Sequence, residues 1–330
     1  MMASRPPRAD PDRPSRKAAV AVLVPLVLGG CSPQALDPAG RGADRVATLT
    51  WVMGIAGLAV LAAVLAVLAV AVRSERPRVS STRLIVGGGI IVPLLVTVGL
   101  VGLTVWVGND LTRRADDALV IEVTGHQYWW DVRYPDRDVR TANEVHLPVG
   151  VPVELHLRSA DVIHSFWVPR LAGKLDLVPG RTNHLTVQAD QTGRLAGYCA
   201  EFCGIQHANM RLDVVVHEAE AFDRWIAEQA EPAVTHTAGP LLEGQEVFLG
   251  SSCVYCHRVA GTNASSEVGP DLTHLMSRER IGAGVVPNTS GHMAGWILDP
   301  QHLKPGNRMP ATVLSARELE AMIAYLEALE

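Results

Sequence analysis

The sequence predicts a multidomain protein with three parts: a hairpin of two transmembrane helices, an all-β domain and a small all-α domain. Two early apolar stretches are each long enough to cross a bilayer. Short alternating strands separated by turn residues follow over 119–216. Near the carboxyl end, two segments with the apolar spacing of amphipathic helices flank a motif of two cysteines and a histidine.

Composition and charge narrow the class of protein. The chain has 330 residues, and hydrophobic types make up 48% of them. The apolar residues concentrate in three early runs, which is typical of a membrane protein. The net charge of -5 is mild, and no basic cluster is interleaved with aromatic residues, so we exclude nucleic acid as a partner.

Residues 1–30 are interpreted as a lipoprotein-type export signal. Five basic residues precede an apolar run over 18–28, which is too short to span a bilayer comfortably. The segment Leu28-Gly29-Gly30-Cys31 resembles a bacterial lipoprotein cleavage box, in which the cysteine becomes the lipidated first residue. A plain cleavable signal with an incidental cysteine is the alternative.

A transmembrane hairpin is predicted over 44–108, with spans at 47–72 and 84–107. The loop between the spans has four arginines and one acid: Arg73, Arg76, Arg78, Arg83 and Glu75. The positive-inside rule places this loop in the cytoplasm and both termini outside. Neither span contains a charged residue, which argues against a pump or channel within the hairpin and favours docking onto a larger membrane subunit.

The region 109–225 is predicted to be an all-β Greek-key barrel, because short strands with alternating polarity replace the long apolar runs. The predicted strands cover 119–124, 144–147, 153–157, 185–188 and 212–216.

A metal site is predicted between Cys199 and Met210. Two thiols, an imidazole and a thioether fall within these twelve residues. Thiolates select Cu(I), zinc or iron–sulfur clusters, whereas a thioether in the same set favours copper. A second loop, after the predicted 153–157 strand, adds the imidazole of His164. A disulfide, a zinc knot or a redox dithiol would explain the cysteines alone, but none requires the histidine and methionine.

The motif C-x-E-x-C-x-x-x-H-x-x-M, together with the earlier loop histidine, resembles the dinuclear copper centre (CuA) of cytochrome c oxidase subunit II. The resemblance implies a cupredoxin-like domain. The implied ligands are two bridging thiolates, two outer imidazoles, an axial thioether and one backbone carbonyl: Cys199 and Cys203, His164 and His207, Met210, and Glu201. In the family, the side chain of this glutamate also faces a Mg²⁺ ion at the catalytic subunit.

The segment GHQYWW at 125–130 extends the resemblance over about residues 115–220. Relatives often carry Trp, Tyr and Trp after the glutamine, and the first Trp is where an electron enters from cytochrome c. Here the first two are exchanged, so Tyr128 and Trp129 are both candidates for electron entry. Packing of each ring onto the core is the alternative.

Asp161, three residues before His164, is interpreted either as a group that orients the ligand loop or as an ordinary turn aspartate. Other histidines lack a partner at ligand spacing. We interpret these as structural or exposed: His126, His146, His156, His184 and His217.

A linker is predicted over 226–240, where Ala, Glu, Thr and Pro prevail without a sustained apolar period. The region 241–330 follows as a small all-α domain. Cys253, Cys256 and His257 form the c-type haem attachment motif, in which two thiols add to the haem vinyl groups and the imidazole binds iron. Amphipathic helices are predicted on either side, at 241–249 and 316–329.

The second axial ligand of this haem is predicted to be Met309. The segment 304–310 resembles the cytochrome c loop that supplies the axial sulfur, and 269–272 resembles the segment whose proline carbonyl accepts a hydrogen bond from the axial imidazole. Met293 competes for the same role, but it lies in a predicted helix over 293–297. His/Met ligation raises the haem potential, which suits a donor to copper.

The order of the parts resembles, over almost the whole chain, bacterial haem–copper oxidase subunit II with a fused cytochrome c. This implies a two-pass subunit in the bacterial cell membrane, with the copper and haem domains on the outer face. Electrons from cytochrome c or a cytochrome bc complex would reach the covalent haem c, then the copper pair. The catalytic subunit I, accompanied by subunit III, would reduce O2 to water and pump protons.

Two other functions remain open from the sequence. One is the copper-containing small subunit of a nitric oxide reductase. The other is a membrane-tethered electron shuttle or copper-handling protein without an oxidase partner. A quinol-oxidase subunit is excluded, because those relatives lack the copper ligands found here.

Overall fold

The fold is taken from a computed structural model of the chain, which describes residues 33–73, 80–111 and 118–330. In these residues a pair of long helices, a β domain and a helical domain follow one another in the predicted order. Several predicted features lie outside the described residues: the export signal, Cys31, Glu75, Arg76 and Arg78.

Two long apolar helices begin the described chain, α1 (Arg41–Arg73) and α2 (Ser81–Leu111), and they contain the predicted spans. The turns of α2 are wider, of π type, over Leu84–Ile91. Most of their large apolar side chains are exposed. Such a surface is favourable in the hydrocarbon of a membrane and unfavourable in water. Their length and composition are sufficient to cross a membrane.

Ion pairs hold the two helices together at the end next to the β domain. Arg41 and Arg45 contact opposite oxygens of Asp110 at 2.8 and 3.1 Å. Ahead of α1, the Ala39 N–H donates to the carbonyl of Arg170 at 2.7 Å. The hairpin is therefore held to the β domain by backbone hydrogen bonds as well as by the covalent chain.

The β domain consists of two five-stranded sheets that enclose one hydrophobic core. The first sheet contains β1 (Leu119–His126), β2 (Trp129–Tyr134), β3 (Val139–Ala142), β5 (Val153–Ser159) and β8 (Asn183–Val187). The second contains β4 (Glu144–Pro148), β6 (His164–Trp167), β7 (Leu175–Leu177), β9 (Gly193–Cys199) and β10 (Arg211–His217). The strand orders are β3-β2-β1-β5-β8 and β4-β10-β9-β6-β7.

Alternating burial along the strands explains how the sheets face each other. On β5, Val153, Leu155 and Leu157 are buried and the residues between them are more exposed, as a period of two requires. β1 pairs with β5 and β4 with β10 in parallel, whereas the other pairs are antiparallel. The predicted all-β region is confirmed, with five strands that the sequence pattern had not indicated.

A helix after β10 packs onto the β domain. This helix, α3 (Ala219–Ala230), buries Ile226 in the β-domain core. The stretch 226–240 that composition predicts as a linker therefore begins as helix. Beyond it, the Ala233 N–H donates to the carbonyl of Ala260 at 3.0 Å, so the connecting chain already lies against the next domain.

The carboxyl-terminal domain is helical. Its helices are α4 (Gly239–Gly250), α5 (Ser290–Leu298), α6 (Pro300–Leu303) and α7 (Ala316–Glu327), with a small ribbon of β11 (Arg280–Ile281) and β12 (Val286–Pro287). Phe248 of α4 packs with Met322 and Tyr325 of α7 in its core. Both predicted amphipathic helices are confirmed.

The helical domain packs directly on the β domain, and charged pairs cross the boundary. Arg140 contacts Glu267 at 3.0 Å, and Arg194 contacts Glu279 at 3.2 Å. The Arg211 N–H donates to the carbonyl of Ala283 at 3.1 Å. In these two ion pairs the cation lies in the β domain and the acid in the helical domain, whereas Arg308 of the helical domain contacts Asp161 of the β domain at 3.2 Å. Opposite charges are thus matched across the boundary in both directions.

Candidate metal centre

Strand pairing brings His164 to the cysteine loop. β6 begins at His164, β9 ends at Cys199, and these antiparallel strands pair through Phe166 and Cys199. The His164 Nδ1 atom consequently lies 3.9 Å from the Cys199 sulfur, although the residues are 35 positions apart. The cysteine loop itself is irregular after Cys199, apart from one short turn of 3₁₀ helix over His207–Asn209.

The remaining predicted ligands surround the two sulfurs, which are free thiols 3.8 Å apart. The His207 Nδ1 and Met210 Sδ atoms lie 3.8 and 3.9 Å from the Cys203 sulfur. The Glu201 carbonyl oxygen lies 3.3 Å from the Cys199 sulfur. Two donors bound about 2.0–2.3 Å from one tetrahedral ion are roughly 3.3–3.8 Å apart, so these separations suit donors that share metal ions.

Electrostatics at the two sulfurs also favour a cation. The hydrogen bond from the Cys203 thiol lowers the pKa of Cys199, and the same contact raises the pKa of Cys203. Two thiolates this close repel each other, so only one ionises readily while a proton is shared between them. A metal cation bound by both sulfurs removes that repulsion. The donor set therefore fits a thiolate-bound metal.

Asp161 holds the imidazole of His164. Its Oδ1 lies 2.8 Å from the His164 Nε2, and its Oδ2 accepts the Gln127 N–H at 2.8 Å. Burial acts to lower the pKa of His164, but the contacts with Cys199 and Asp161 raise it above the ordinary value. The carboxylate directs Nδ1 toward the sulfur, so the geometry supports the orienting interpretation of this aspartate.

Two residues of the 125–130 segment that the sequence had not singled out pack around His164. A Cβ atom at Gly125 would lie 2.8 Å from the His164 ring, so only glycine leaves room for the imidazole. Trp130 is fully buried, and its ring centroid lies 6.2 Å from His164 and 6.1 Å from Phe166. The sequence signal that could have identified Trp130 is the alternation of side chains along β2, which places this residue on the side of the strand that faces the core.

Gln127 was also missed, and it links three parts of the site. Its Nε2 donates to the Cys203 carbonyl at 2.6 Å, and its Oε1 accepts from Arg308 at 3.2 Å. Its backbone N–H binds Asp161, as described above. Gln127 thus joins the cysteine loop to the helical-domain loop that precedes Met309.

The haem attachment motif lines a cavity of about 350 Å³ between the helical domain and the β domain. Cys253, Cys256 and His257 all face it. The His257 Nδ1 lies 2.8 Å from the carbonyl of Pro270; because a carbonyl only accepts, Nδ1 carries the proton and Nε2 keeps its lone pair. Burial lowers the pKa of His257, which favours the neutral ring that iron requires.

Three methionines line the same cavity, and one of them, Met322, lies in α7 and packs in the core of the helical domain. Met293 lies in α5 and is buried in the core of the helical domain, whereas Met309 lies on a loop. The Met309 N–H donates to Asn307 at 2.8 Å, and its carbonyl accepts from Gln301 at 3.1 Å. The choice of Met309 as axial ligand stays a prediction.

Both aromatic candidates for electron entry line this cavity from the β-domain side. Tyr128 is buried, and its hydroxyl group packs against Gly204 of the cysteine loop. Trp129 stacks on His126, with ring centroids 4.4 Å apart. Tyr128 therefore lies between the cysteine loop and the haem-motif cavity, whereas Trp129 lines the cavity beside His126.

Glu201 contributes its carbonyl oxygen to the cysteine site and directs its carboxylate elsewhere. The carboxylate is 44% exposed and lies 3.7 Å from the Lys174 Nζ. It is thus accessible to another subunit.

Comparison with known proteins gives two family matches. Residues 137–218 match the cytochrome c oxidase subunit II periplasmic domain, and residues 241–330 match cytochrome c. Both imply metal-dependent electron transfer, with a copper site in the β domain and a haem site in the helical domain.

A relative that matches nearly the whole chain agrees with these family matches, and others match parts of it. Subunit 2 of the Bacillus subtilis cytochrome c oxidase is 33% identical over 341 residues, covering 93% of this chain and 96% of the relative. The Alkalihalophilus pseudofirmus counterpart is 42% identical over 220 residues, covering 65% of this chain and 62% of the relative. Among solved structures, the periplasmic domain of subunit II of cytochrome oxidase from Bradyrhizobium japonicum is 32% identical. It covers 36% of this chain and 96% of its own, with a TM-score of 0.34.

The contact between Asp161 and His164 generates a prediction. Asp161→Asn removes the charge that orients the imidazole but leaves every predicted ligand in place, so we expect copper affinity to fall about 10–100-fold. Competition with a copper chelator would measure this. Asp136→Asn, in an exposed turn, is the matched control. Equal copper affinity in the two variants would contradict the orienting role.

Proposed function

Because this chain belongs to the cytochrome c oxidase subunit II family and carries a cytochrome c domain, we propose that it is the electron-input subunit of a proton-pumping cytochrome c oxidase. Electrons would arrive at a covalently bound haem c and pass to a dinuclear copper centre. They would continue to the haem–copper catalytic subunit, where O2 is reduced to water.

The copper proposal is supported by the number of donors around the two sulfurs. One tetrahedral ion uses four ligands, whereas six donors meet here: the Cys199 and Cys203 sulfurs and the four donor atoms around them. Two copper ions that share both thiolates would use all of them, with a thioether suited to an electron-transfer copper. The proposed ligands are His164, Cys199, the Glu201 carbonyl, Cys203, His207 and Met210.

The haem proposal is supported by the cavity and its donors. Cys253 and Cys256 would form the thioether bonds, and His257 and Met309 would bind iron from opposite sides. Its boundary includes residues of the β domain, Tyr128 and Trp129 among them. A haem there would meet the aromatic pair directly, which supports both residues as candidates on the electron path.

Lys304 carries the proposal of direct transfer between the two sites. Lys304 lies five positions before Met309, on the same loop. It is only 2% exposed. Its Nζ donates to the carbonyls of Tyr128, Asn209 and Gly282, each at 2.8 Å. An ammonium group has three N–H donors, and all three are used.

These bonds cross between the proposed redox sites. Asn209 directly precedes the proposed ligand Met210, and Tyr128 faces the haem-motif cavity. Arg308, next to Met309, adds a bond to Asp161 at 3.2 Å. The loop of one proposed axial ligand thus touches both loops of the proposed copper site. Such contacts hold donor and acceptor in one geometry and avoid a diffusional encounter at each turnover.

The membrane arrangement and partners form part of the proposal. The hairpin would cross the membrane with its connecting loop in the cytoplasm, leaving the β and helical domains on the outer face. Catalytic subunit I, together with subunit III, would dock beside it. Mg²⁺ prefers six oxygen ligands; Glu201 offers one exposed carboxylate, and the catalytic subunit would supply the remaining protein ligands.

Electron paramagnetic resonance tests the function directly. We expect the detergent-solubilised full chain, loaded with copper and haem, to give a mixed-valence dinuclear copper signal beside a low-spin c-type haem. Cys199→Ser should abolish the copper signal and leave the haem spectrum unchanged, because no residue of the cysteine loop lines the haem-motif cavity. A mononuclear copper signal in the unmodified chain would refute the dinuclear assignment.

The axial assignment is tested separately. Met309→Leu should remove methionine ligation and lower the haem potential, because the thioether raises it, while the copper signal persists. Redox titration and optical spectra would measure this. Met293→Leu is the matched control and should keep the native ligation. If Met293→Leu instead loses methionine ligation and Met309→Leu keeps it, Met293 is the axial ligand.

The contact of Lys304 generates a prediction about electron transfer. Lys304→Met removes the donor from one buried and two half-buried carbonyls, and a buried group left unsatisfied costs about 1–3 kcal/mol. We expect the docked population of the haem domain to fall and haem-to-copper transfer, followed by flash photolysis, to slow. Arg317→Gln, which removes an exposed ion pair to Glu243 within the haem domain, is the control. An unchanged rate in Lys304→Met with intact haem ligation would contradict the docking role.

A further inference from the structure

A second cluster of ligand side chains lies on the outer face of the first sheet. Glu154 and His156 are two positions apart on β5, and His184 on β8 stands directly opposite His156. Alternate residues of a strand share one face. These three side chains therefore project away from the core, into which Leu155 points.

The nitrogen atoms converge on one carboxylate oxygen. The His156 Nε2 and His184 Nδ1 atoms lie 3.2 and 2.8 Å from Oε1 of Glu154. The two rings are nearly perpendicular, at 76°, with centroids 4.6 Å apart. One ligand atom from each residue lies within 4.8 Å of the other two. Donors around one tetrahedral ion are roughly 3.3–3.6 Å apart, so rotamer adjustments of about 1 Å complete the set.

We propose that Glu154, His156 and His184 form a second metal site that takes a borderline divalent ion, with Zn²⁺ as the ion of choice. Two imidazoles and one carboxylate are a donor set that zinc uses with water in its fourth position. Ca²⁺ and Mg²⁺ require mostly oxygen ligands, and soft Cu(I) prefers sulfur. The three side chains are 12%, 22% and 30% exposed, so solvent reaches the open position.

Among the residues that the structure describes, Arg158 and Glu122 are charged neighbours of His156 on this sheet. Arg158 follows His156 by two positions, and its guanidinium is held by Glu122 at 3.5 Å and by the Thr182 hydroxyl at 2.9 Å. Glu122 also lies beside His156 in the β1–β5 pair. The Glu122 carboxylate offsets the positive charge of Arg158, so this arginine opposes a bound cation less than an unpaired guanidinium would.

A bound ion would join two strands that differ in the number of neighbouring strands with which they pair. β8 is at the edge of its sheet, whereas β5 is paired on both sides. β5 ends at Ser159, immediately before the loop that carries Asp161 and leads to His164 at the start of β6. The ion would thus cross-link the edge strand to the strand that leads into the cysteine-site loop.

Zinc binding to the full chain tests the site. The copper- and haem-loaded protein in detergent is titrated with Zn²⁺ by calorimetry, so that the cysteine site is already filled. We expect one Zn²⁺ per chain, with X-ray absorption showing two imidazole nitrogens and oxygen. His156→Gln and His184→Gln should each weaken the affinity by more than about tenfold, since loss of even an outer-shell partner costs about 10–100-fold.

His302→Gln, which alters an exposed histidine of the helical domain, is the matched control and should leave the affinity unchanged. An unchanged copper signal in the β5 and β8 variants verifies that they fold. Equal zinc affinity in all variants, or no binding in the unmodified protein, would overturn the proposal. Titrating a Cys199→Ser/Cys203→Ser chain separates this result from the copper assignment, because the second site shares no residue with it.

Discussion

The buried ammonium group of Lys304 is the interaction on which the arrangement of the two domains depends. Its three hydrogen bonds reach the Tyr128 and Asn209 carbonyls of the β domain and the Gly282 carbonyl of its own. Burial lowers the pKa of Lys304 to about 7, and the carbonyl oxygens offset part of the desolvation cost. Breaking the interface would strand buried polar groups on both sides.

The interface also determines how the haem-motif cavity and the cysteine site face each other. Around this lysine, Arg308 binds Gln127 and Asp161, and pairs such as Arg140–Glu267 lie farther out. A buried bonded centre with charged pairs at the edge resembles a standard protein interface. Gln127 belongs to both the interface and the cysteine site. A change in how the helical domain docks on the β domain would therefore alter the contacts of the proposed metal ligands.

The β domain positions the proposed copper ligands through strand pairing and close packing. The β6–β9 register brings His164 to Cys199, and Asp161 and Gly125 leave the imidazole one orientation. Because these supports come from four separate segments, the site is preorganised rather than assembled by the ion alone. The preorganised geometry is what fast electron transfer requires, since little has to move when the charge changes.

Much of this fold was predictable from sequence, because its signals are local. The two apolar spans, the helices at 241–249 and 316–329, and five strands with clear alternation all appear where periodicity placed them. The missed strands are short or lie in mixed polar sequence, as β6 and β7 do, and packing rather than propensity makes them extended. The predicted linker begins as helix because Ile226 finds a core position that composition does not reveal.

By itself, the sequence determined the donor chemistry: the spacing of cysteines, histidines and methionines depends only on residue identity and local turns. Tertiary structure decided what no spacing encodes. It brought Gln127 to two domains, placed Trp130 beside His164, buried Lys304 and set His184 opposite His156 and Glu154. Each of these contacts joins residues far apart in the chain or in different elements. Their formation depends on sheet register and domain docking, which arise only when the whole core packs.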